Sequence, residues 1–163
     1  MNRYLEITSA DWDRYGAEII GLEKEYPAEI ASDADDMKEK IGRKGSVGVL
    51  HLYRGKVAGF AIGFPLSEEE RKEYRLEKFW KDKSIYLESI TVSSDFQGRG
   101  FGRALMIEFM RRARENGYSR MIGHFRPNGS AAIMRKLRAE ELSIEKNWFG
   151  TGQDYTCYEM LLG

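Results

Sequence analysis

The sequence predicts one α/β domain whose central sheet is mixed, mostly antiparallel, of about seven strands, and flanked by helices. Three observations lead there. The chain has 163 residues, one ordinary domain's worth, with 42% hydrophobic and 32% charged residues, enough to bury a core. Short apolar runs are joined first through a hairpin and later through helical crossovers. No repeat, low-complexity tract or linker interrupts them.

The elements follow in order. Arg3 to Thr8 alternates apolar and polar, as a short strand does. Ser9 or Asp11 caps a helix running to about Tyr26, with Trp12, Tyr15, Ile19, Ile20 and Leu22 for its buried face, and Pro27 stops it. A short helix covers Asp33 to Ile41. Strands Ser46–Tyr53 and Lys56–Phe64 meet at Arg54-Gly55, a hairpin signal, and Pro65 ends the second. Ser67 caps a charged helix from Glu68 to about Lys81. Leu76, Phe79 and Trp80 form its narrow apolar face, so it is a solvated surface helix or a wall beside a cleft. Ile85–Val92 is a strong strand. A glycine-rich turn leads into a helix of about Gly100–Asn116, closed by Asn116-Gly117. A strand at Ser119–Phe125 comes next, then a helix opened by Asn128 or Ser130 and reaching about Ala139. Strands near Leu142–Phe149 and Tyr155–Leu162 end the chain.

Composition narrows the function. Formal net charge is zero, so no global basic excess points to nucleic acid. The one cysteine, Cys157, excludes an internal disulfide, and His51 and His124 show no metal-ligand spacing. The N-terminus lacks a signal-peptide pattern and no apolar run is long enough to span a bilayer. The expectation is a cytoplasmic protein without metal, membrane or nucleic-acid partner.

The informative segment is Val92 to Gly102, VSSDFQGRGFG, between a strand and a helix. Its glycines let backbone approach a ligand, and their N–H groups with the positive helix end suit an anion such as a pyrophosphate. A Walker loop needs Gly-Lys-Ser/Thr, which is missing. A dinucleotide fingerprint counted from Gly98 needs glycine or alanine where Arg103 stands.

Gln97-Gly98-Arg99-Gly100-Phe101-Gly102 resembles the Q/R-x-x-G-x-G/A signature of the GNAT superfamily of N-acetyltransferases, after the fourth strand and at the start of the third main helix. The match spans about Ser84 to Asn128. The resemblance implies a GNAT-like fold and acetyl-coenzyme A as acyl donor. It places Ile90, Thr91 and Val92 along the pantetheine, Gln97, Gly98, Arg99, Gly100, Phe101, Gly102 and Arg103 at the phosphates, and Asn128 among the coenzyme contacts. Of the arginines, Arg99 and Arg103 are those expected to reach the coenzyme. Homodimerisation, through the strands from Leu142 onward, is compatible with the family.

An alkylammonium must lose a proton before it attacks a thioester, which requires a base. Glu88 is the candidate: an acid in an otherwise apolar or small strand, two residues from Ile90 and therefore expected on the same face. IYLESITV resembles the polyamine branch of the family, whose glutamate at this place contacts the amine. A strand N–H near Ile90 is expected to polarise the acyl carbonyl. The family's usual acid, a tyrosine in the helix after the fifth strand, is replaced by Met134 or Arg135. Tyr155, Tyr158 and His124 are the unranked substitutes. Cys157 is expected in the core. Residues 18–36 carry Glu18, Glu23, Glu25, Glu29, Asp33, Asp35 and Asp36 against Lys24 alone, an acidic stretch that favours a cationic acceptor: a small amine, a polyamine or a basic peptide. The alternative is a non-catalytic acyl-coenzyme A sensor that has lost its acid.

Overall fold

The computed structural model describes residues 2–127 and 129–163. Strand β1 (Asn2–Glu6) leads through a turn of 3-10 helix into α1 (Trp12–Glu23), then α2 (Ala34–Gly42), β2 (Val47–Tyr53) and β3 (Lys56–Phe64). After α3 (Glu68–Glu73) come β4 (Ser84–Val92), α4 (Phe101–Glu115), β5 (Arg120–Phe125), α5 (Ser130–Lys136), β6 (Glu140–Glu145) and β7 (Tyr155–Leu161). Among the described residues, seven strands form one sheet in the order β1-β2-β3-β4-β5-β7-β6, with β4 and β5 as its only parallel neighbours. The expected mixed, mostly antiparallel sheet is what folds.

Strand alternation divides the core. Leu50, Leu52, Phe60, Ile62 and Phe64 face α1 and α2, packing with Ile19, Leu22, Met37 and Ile41. Val47, Val49, Ala61, Ile85 and Leu87 face α4, against Leu105, Met106, Phe109 and Ala113. At about 25 cal/mol per Å² of apolar surface, these two layers supply most of the drive to fold. Arg54 and Gly55 both have positive φ, 52° and 76°, as a tight hairpin turn requires.

Four expected boundaries move. The first long helix ends at Glu23 rather than Tyr26, because Glu23 turns inward and accepts hydrogen bonds from the Ser32 N–H and the Ser89 hydroxyl, each at 3.0 Å. The helix expected to reach Lys81 stops at Glu73. Arg75 adopts positive φ, and the Leu76 N–H donates to the Arg71 carbonyl at 2.8 Å, which drops Leu76 into the core. An apolar triplet on so charged a helix is buried better by ending the helix than by prolonging it. The strand expected over Leu142–Phe149 is Glu140–Glu145, because Asn147 and Phe149 take left-handed φ values and build a turn. The helix after β5 likewise ends before Ala139, with Arg138 at positive φ. Among the described residues, no helix is long and apolar enough to cross a membrane.

Two irregularities of β4 shape everything around it. β4 pairs with β5 only at Ser84/Arg120, Ile85/Met121 and Tyr86/Ile122, after which the two strands part. Against β3 the register jumps from Ile62↔Ser89 to Gly63↔Leu87, leaving Glu88 unopposed as a bulge. A bulge breaks the alternation of faces. Glu88 and Ser89 therefore both turn toward α1 and α2, while Ile90 packs with the α4 layer. The expectation that Glu88 and Ile90 share a face is corrected by that one extra residue.

Candidate active site

Where β4 and β5 part, two cavities meet. The larger, of about 600 Å³, is lined by Ile90, Thr91, Val92, Gln97, Gly98, Gly100, Phe101 and Gly102, with Arg126 and Ile133 across from them. Gly98 and Gly100 have φ of +78° and +77°, and a Cβ on either would meet nothing within 4 Å. Their role is conformational: they turn the backbone so that Phe101 can open α4 at the cavity's edge, and a helix N-terminus there suits phosphate oxygens. Arg99 and Arg103 do not line it. Arg99 lies over Tyr53 and Phe96, 5.8 and 5.7 Å from the ring centres, and Arg103 is exposed. Asn128 lies outside the described residues.

The smaller cavity, about 250 Å³, holds Glu88. Its Oε1 accepts from the Lys40 ammonium at 3.0 Å, and Lys40 also donates to Ser32 Oγ at 2.9 Å and pairs with Asp36 at 3.1 Å. Glu88 Oε2 is buried without a hydrogen-bond partner among the described residues. Burial raises the Glu88 carboxyl above its usual value, against the pull of Lys40. Burial opposes the charge on Lys40, but Glu88 and Asp36 together hold its pKa above the ordinary range. Glu23, desolvated beside them, is raised as well. The carboxylates of Glu23, Glu29, Asp36, Glu73 and Glu88 face this cavity against the cations Lys40 and Arg126. Of the acidic stretch, then, three members line the cavity; Glu25 faces the larger one, Asp33 caps α2 and Glu18 is exposed.

The opposite wall is aromatic. Trp148 stacks on His124 with centroids 4.0 Å apart, Tyr74 lies 5.1 Å from Tyr86, and Phe149 sits 4.5 Å from Trp148. Such rings attract an organic cation. Tyr86 Oη and His124 Nδ1 are 2.8 Å apart. Burial pushes His124 down to about 3, so its ring is neutral. Glu73 and Tyr74 show that the end of the charged helix is part of the wall.

Tyr26 and Ile90, with Arg126 and Ser130, border both cavities. The Tyr26 hydroxyl donates to the Ile90 carbonyl at 2.7 Å and accepts from the Ile90 N–H at 2.9 Å, while the Arg126 guanidinium lies 4.6 Å over its ring. The Ile90 N–H, expected to be free to polarise an acyl carbonyl, is thus already engaged; the strand's parting from β5 exposes it, and the nearest hydroxyl takes it. Cys157 is fully buried, its thiol pushed up to about 12 by burial, consistent with a core residue. His51 sits away from both cavities, stacked on Tyr4. No cluster of three or more His, Cys, Asp or Glu suited to a metal exists among the described residues.

Sequence reading located Glu88 and the glycine turn but missed Tyr26, Lys40, Tyr74 and Trp148. The acidic run signalled the region around Tyr26 and Lys40; nothing in the sequence singled out Trp148, which reaches the cavity through the unexpected turn after β6.

A parallel β4–α4–β5 crossover opened by a glycine turn, with strands that part beside it, gives the cleft a helix N-terminus suited to an anionic ligand at its edge. The family description "Acetyltransferase (GNAT) family" matches residues 6–134, and the chain belongs to that family. Solved structures agree in fold. The ribosomal-protein-S18-alanine N-acetyltransferase of Escherichia coli superposes with a TM-score of 0.75 at 18% identity, over 100% of this chain and 95% of that one. A ribosomal-protein-alanine N-acetyltransferase from Brucella melitensis gives 0.72 at 24% identity, over 98% and 99%. A putative acetyltransferase from Salmonella typhimurium, solved with acetyl-CoA, gives 0.72 at 17%, over 100% and 95%. No curated protein sequence matches the chain.

Proposed function

We propose that this chain transfers an acetyl group from acetyl-coenzyme A directly to a primary amine of a cationic acceptor, with Glu88 as general base. The acceptor is a small amine such as a polyamine, or a lysine-like or basic peptide amine. The coenzyme would lie along Ile90, Thr91 and Val92, with its phosphates at the turn from Gln97 to Gly102. The reading rests on one observation above others: a buried carboxylate with one unpartnered oxygen, in an acid-rich and aromatic cavity that abuts the glycine-turn cavity across Ile90.

The energetics support it. Deprotonating an alkylammonium of pKa about 10.4 at neutral pH costs about 4–5 kcal/mol, and a carboxylate made more basic by burial narrows that gap. Lys40 neutralises only part of the cavity's acidity, leaving Glu88 Oε2 to receive the acceptor's ammonium and then its proton. The thioester needs no further activation by a metal.

The test is acetyl-coenzyme A-dependent thiol release with polyamines, amino acids, aminoglycosides, basic peptides and alanine-initiated peptides, the last because two structural neighbours carry that acceptor in their names. Release above a no-acceptor blank is expected, and Glu88→Gln should abolish turnover while coenzyme binding persists. Unchanged turnover in that variant removes Glu88 from the chemistry. Coenzyme binding with no release on any acceptor favours the sensor.

A further inference from the structure

Collapse of the tetrahedral intermediate expels a thiolate, and something must protonate it. The position in the helix after β5 where the acid is expected supplies no such group. Met134 is fully buried in the apolar layer, and arginine holds its proton at any working pH. Tyr158 packs against Phe125 in the α4-side core and borders neither cavity. His124 faces the carboxylate cavity with Nδ1 engaged by Tyr86 and Nε2 buried without a partner among the described residues, but burial keeps its ring neutral, and a neutral imidazole N–H is a weaker acid than a phenol.

Three observations together point to Tyr155. Its ring is 2% exposed, and its hydroxyl is buried without a hydrogen-bond partner among the described residues. It lines the carboxylate cavity, whereas Gln153, two residues earlier, lines the glycine-turn cavity. The start of β7 therefore crosses the boundary between the two. Finally, the pairing of Phe125 with Thr156 sets Arg126, a residue common to both cavities, beside Tyr155. A desolvated phenol left unpaired is costly, and this one sits where acyl donor and acceptor would meet.

Resting on the acetyl-transfer reading above, we propose that Tyr155 is the catalytic proton donor to the leaving sulfur, supplied by β7. The amine nitrogen forms the new C–N bond. The C–S bond then breaks with its electron pair passing to sulfur, which takes the phenolic proton to leave as the thiol. Arg126 steadies the transient phenolate, an influence that works against the upward push of burial on this phenol. Solvent restores the phenol, and the proton collected by Glu88 leaves to solvent, so the exchange balances.

Tyr155→Phe tests this with two readouts. In turnover of whichever acceptor the panel identifies, kcat should fall about 100-fold. Coenzyme affinity should stay within about twofold, and thermal stability should hold or rise, since only an unpaired hydroxyl is lost. The second readout needs no acceptor: the ultraviolet titration of the thiol of coenzyme A itself, bound to each protein. Bound to the parent protein, the thiol should ionise at lower pH than free coenzyme A, because a phenolic hydrogen bond stabilises the thiolate, and Tyr155→Phe should remove that shift. Identical thiol titrations in the two proteins overturn the assignment even if no acceptor is found. So does an unchanged kcat with a raised acceptor KM, which makes Tyr155 an acceptor contact. Failure of coenzyme A to bind at all would overturn both this assignment and the reading beneath it.

Discussion

Replacing His124 by glutamine removes one titrating ring from the wall of the carboxylate cavity, and its effect on acid stability can be worked out. Unfolded, an imidazole titrates near 6.5; folded, burial and the charge of Arg75 hold His124 at about 3. Between those values the unfolded chain binds a proton that the folded chain refuses. Stability is fully present above the unfolded pKa and falls as pH falls through the window. At 1.36 kcal/mol per unit, the loss between pH 7 and pH 4.5 is about 2.5 kcal/mol, approaching about 5 kcal/mol below the folded value. The raised carboxyls of Glu23 and Glu88 act in the opposite direction, but both proteins contain them. Urea unfolding of parent and His124→Gln proteins at pH 7, 6, 5 and 4.5 isolates the term. The gap between their unfolding free energies should change by about 2.5 kcal/mol across the series, with the variant losing less. Parallel curves would show that His124 is solvated or already protonated in the folded state, and the neutral aromatic wall would have to be abandoned.

Other perturbations follow from the same geometry. Lys40→Met keeps the stem but leaves Glu88 and Asp36 without their counterion. Urea unfolding at pH 8 should show a loss of about 3 kcal/mol, shrinking toward pH 5 as Glu88 takes up a proton. Since burial already raises Glu88, the acid limb of kcat should lie above the ordinary glutamate pKa, with activity lost as pH falls through it. Lys40→Met should move that limb higher still; a limb left in place would dissociate Glu88 from the rate. Gly100→Ala meets no neighbour but must hold φ near +77°, so about 1–2 kcal/mol of strain should appear as lost stability or as a rearranged turn with weakened coenzyme binding by calorimetry. Tyr26→Phe strips the Ile90 N–H and carbonyl of their shared partner and should cost about 1–2 kcal/mol in chemical denaturation.

The sequence disclosed those parts of the molecule that depend on local chemistry. The Arg54-Gly55 hairpin, the Ser67 cap and the glycine turn before α4 each have a short-range cause, and each is found in place. What escaped depends on pairing at a distance. The bulge at Glu88 exists only in register with β3, and nothing in IYLESITV read alone fixes where the extra residue falls. Arg75 ends α3 because the core behind it accepts Leu76, a fact about the core rather than the helix. Tyr26 belongs to the site because β4 and β5 part at its height, leaving Ile90 in want of a partner. Glu88 was legible as an acid out of place in a strand; its companion Lys40, 48 residues earlier, was one charge among many on an amphipathic helix.

The parting of β4 from β5 has a mechanical consequence. Only three residue pairs join them, so the sheet is in effect two leaves, β1–β4 and β5–β7–β6, bound along a short spine. Arg120 rivets that spine: its guanidinium reaches the Phe79 carbonyl, the Ser84 hydroxyl and the carboxylate of Glu159. Deuterium should therefore enter the inner margins of both leaves beyond Tyr86 and Ile122 sooner than it enters the β2–β3 ladder. A small rotation about the rivet would widen or narrow the passage between the two cavities while leaving each leaf's own ladder intact.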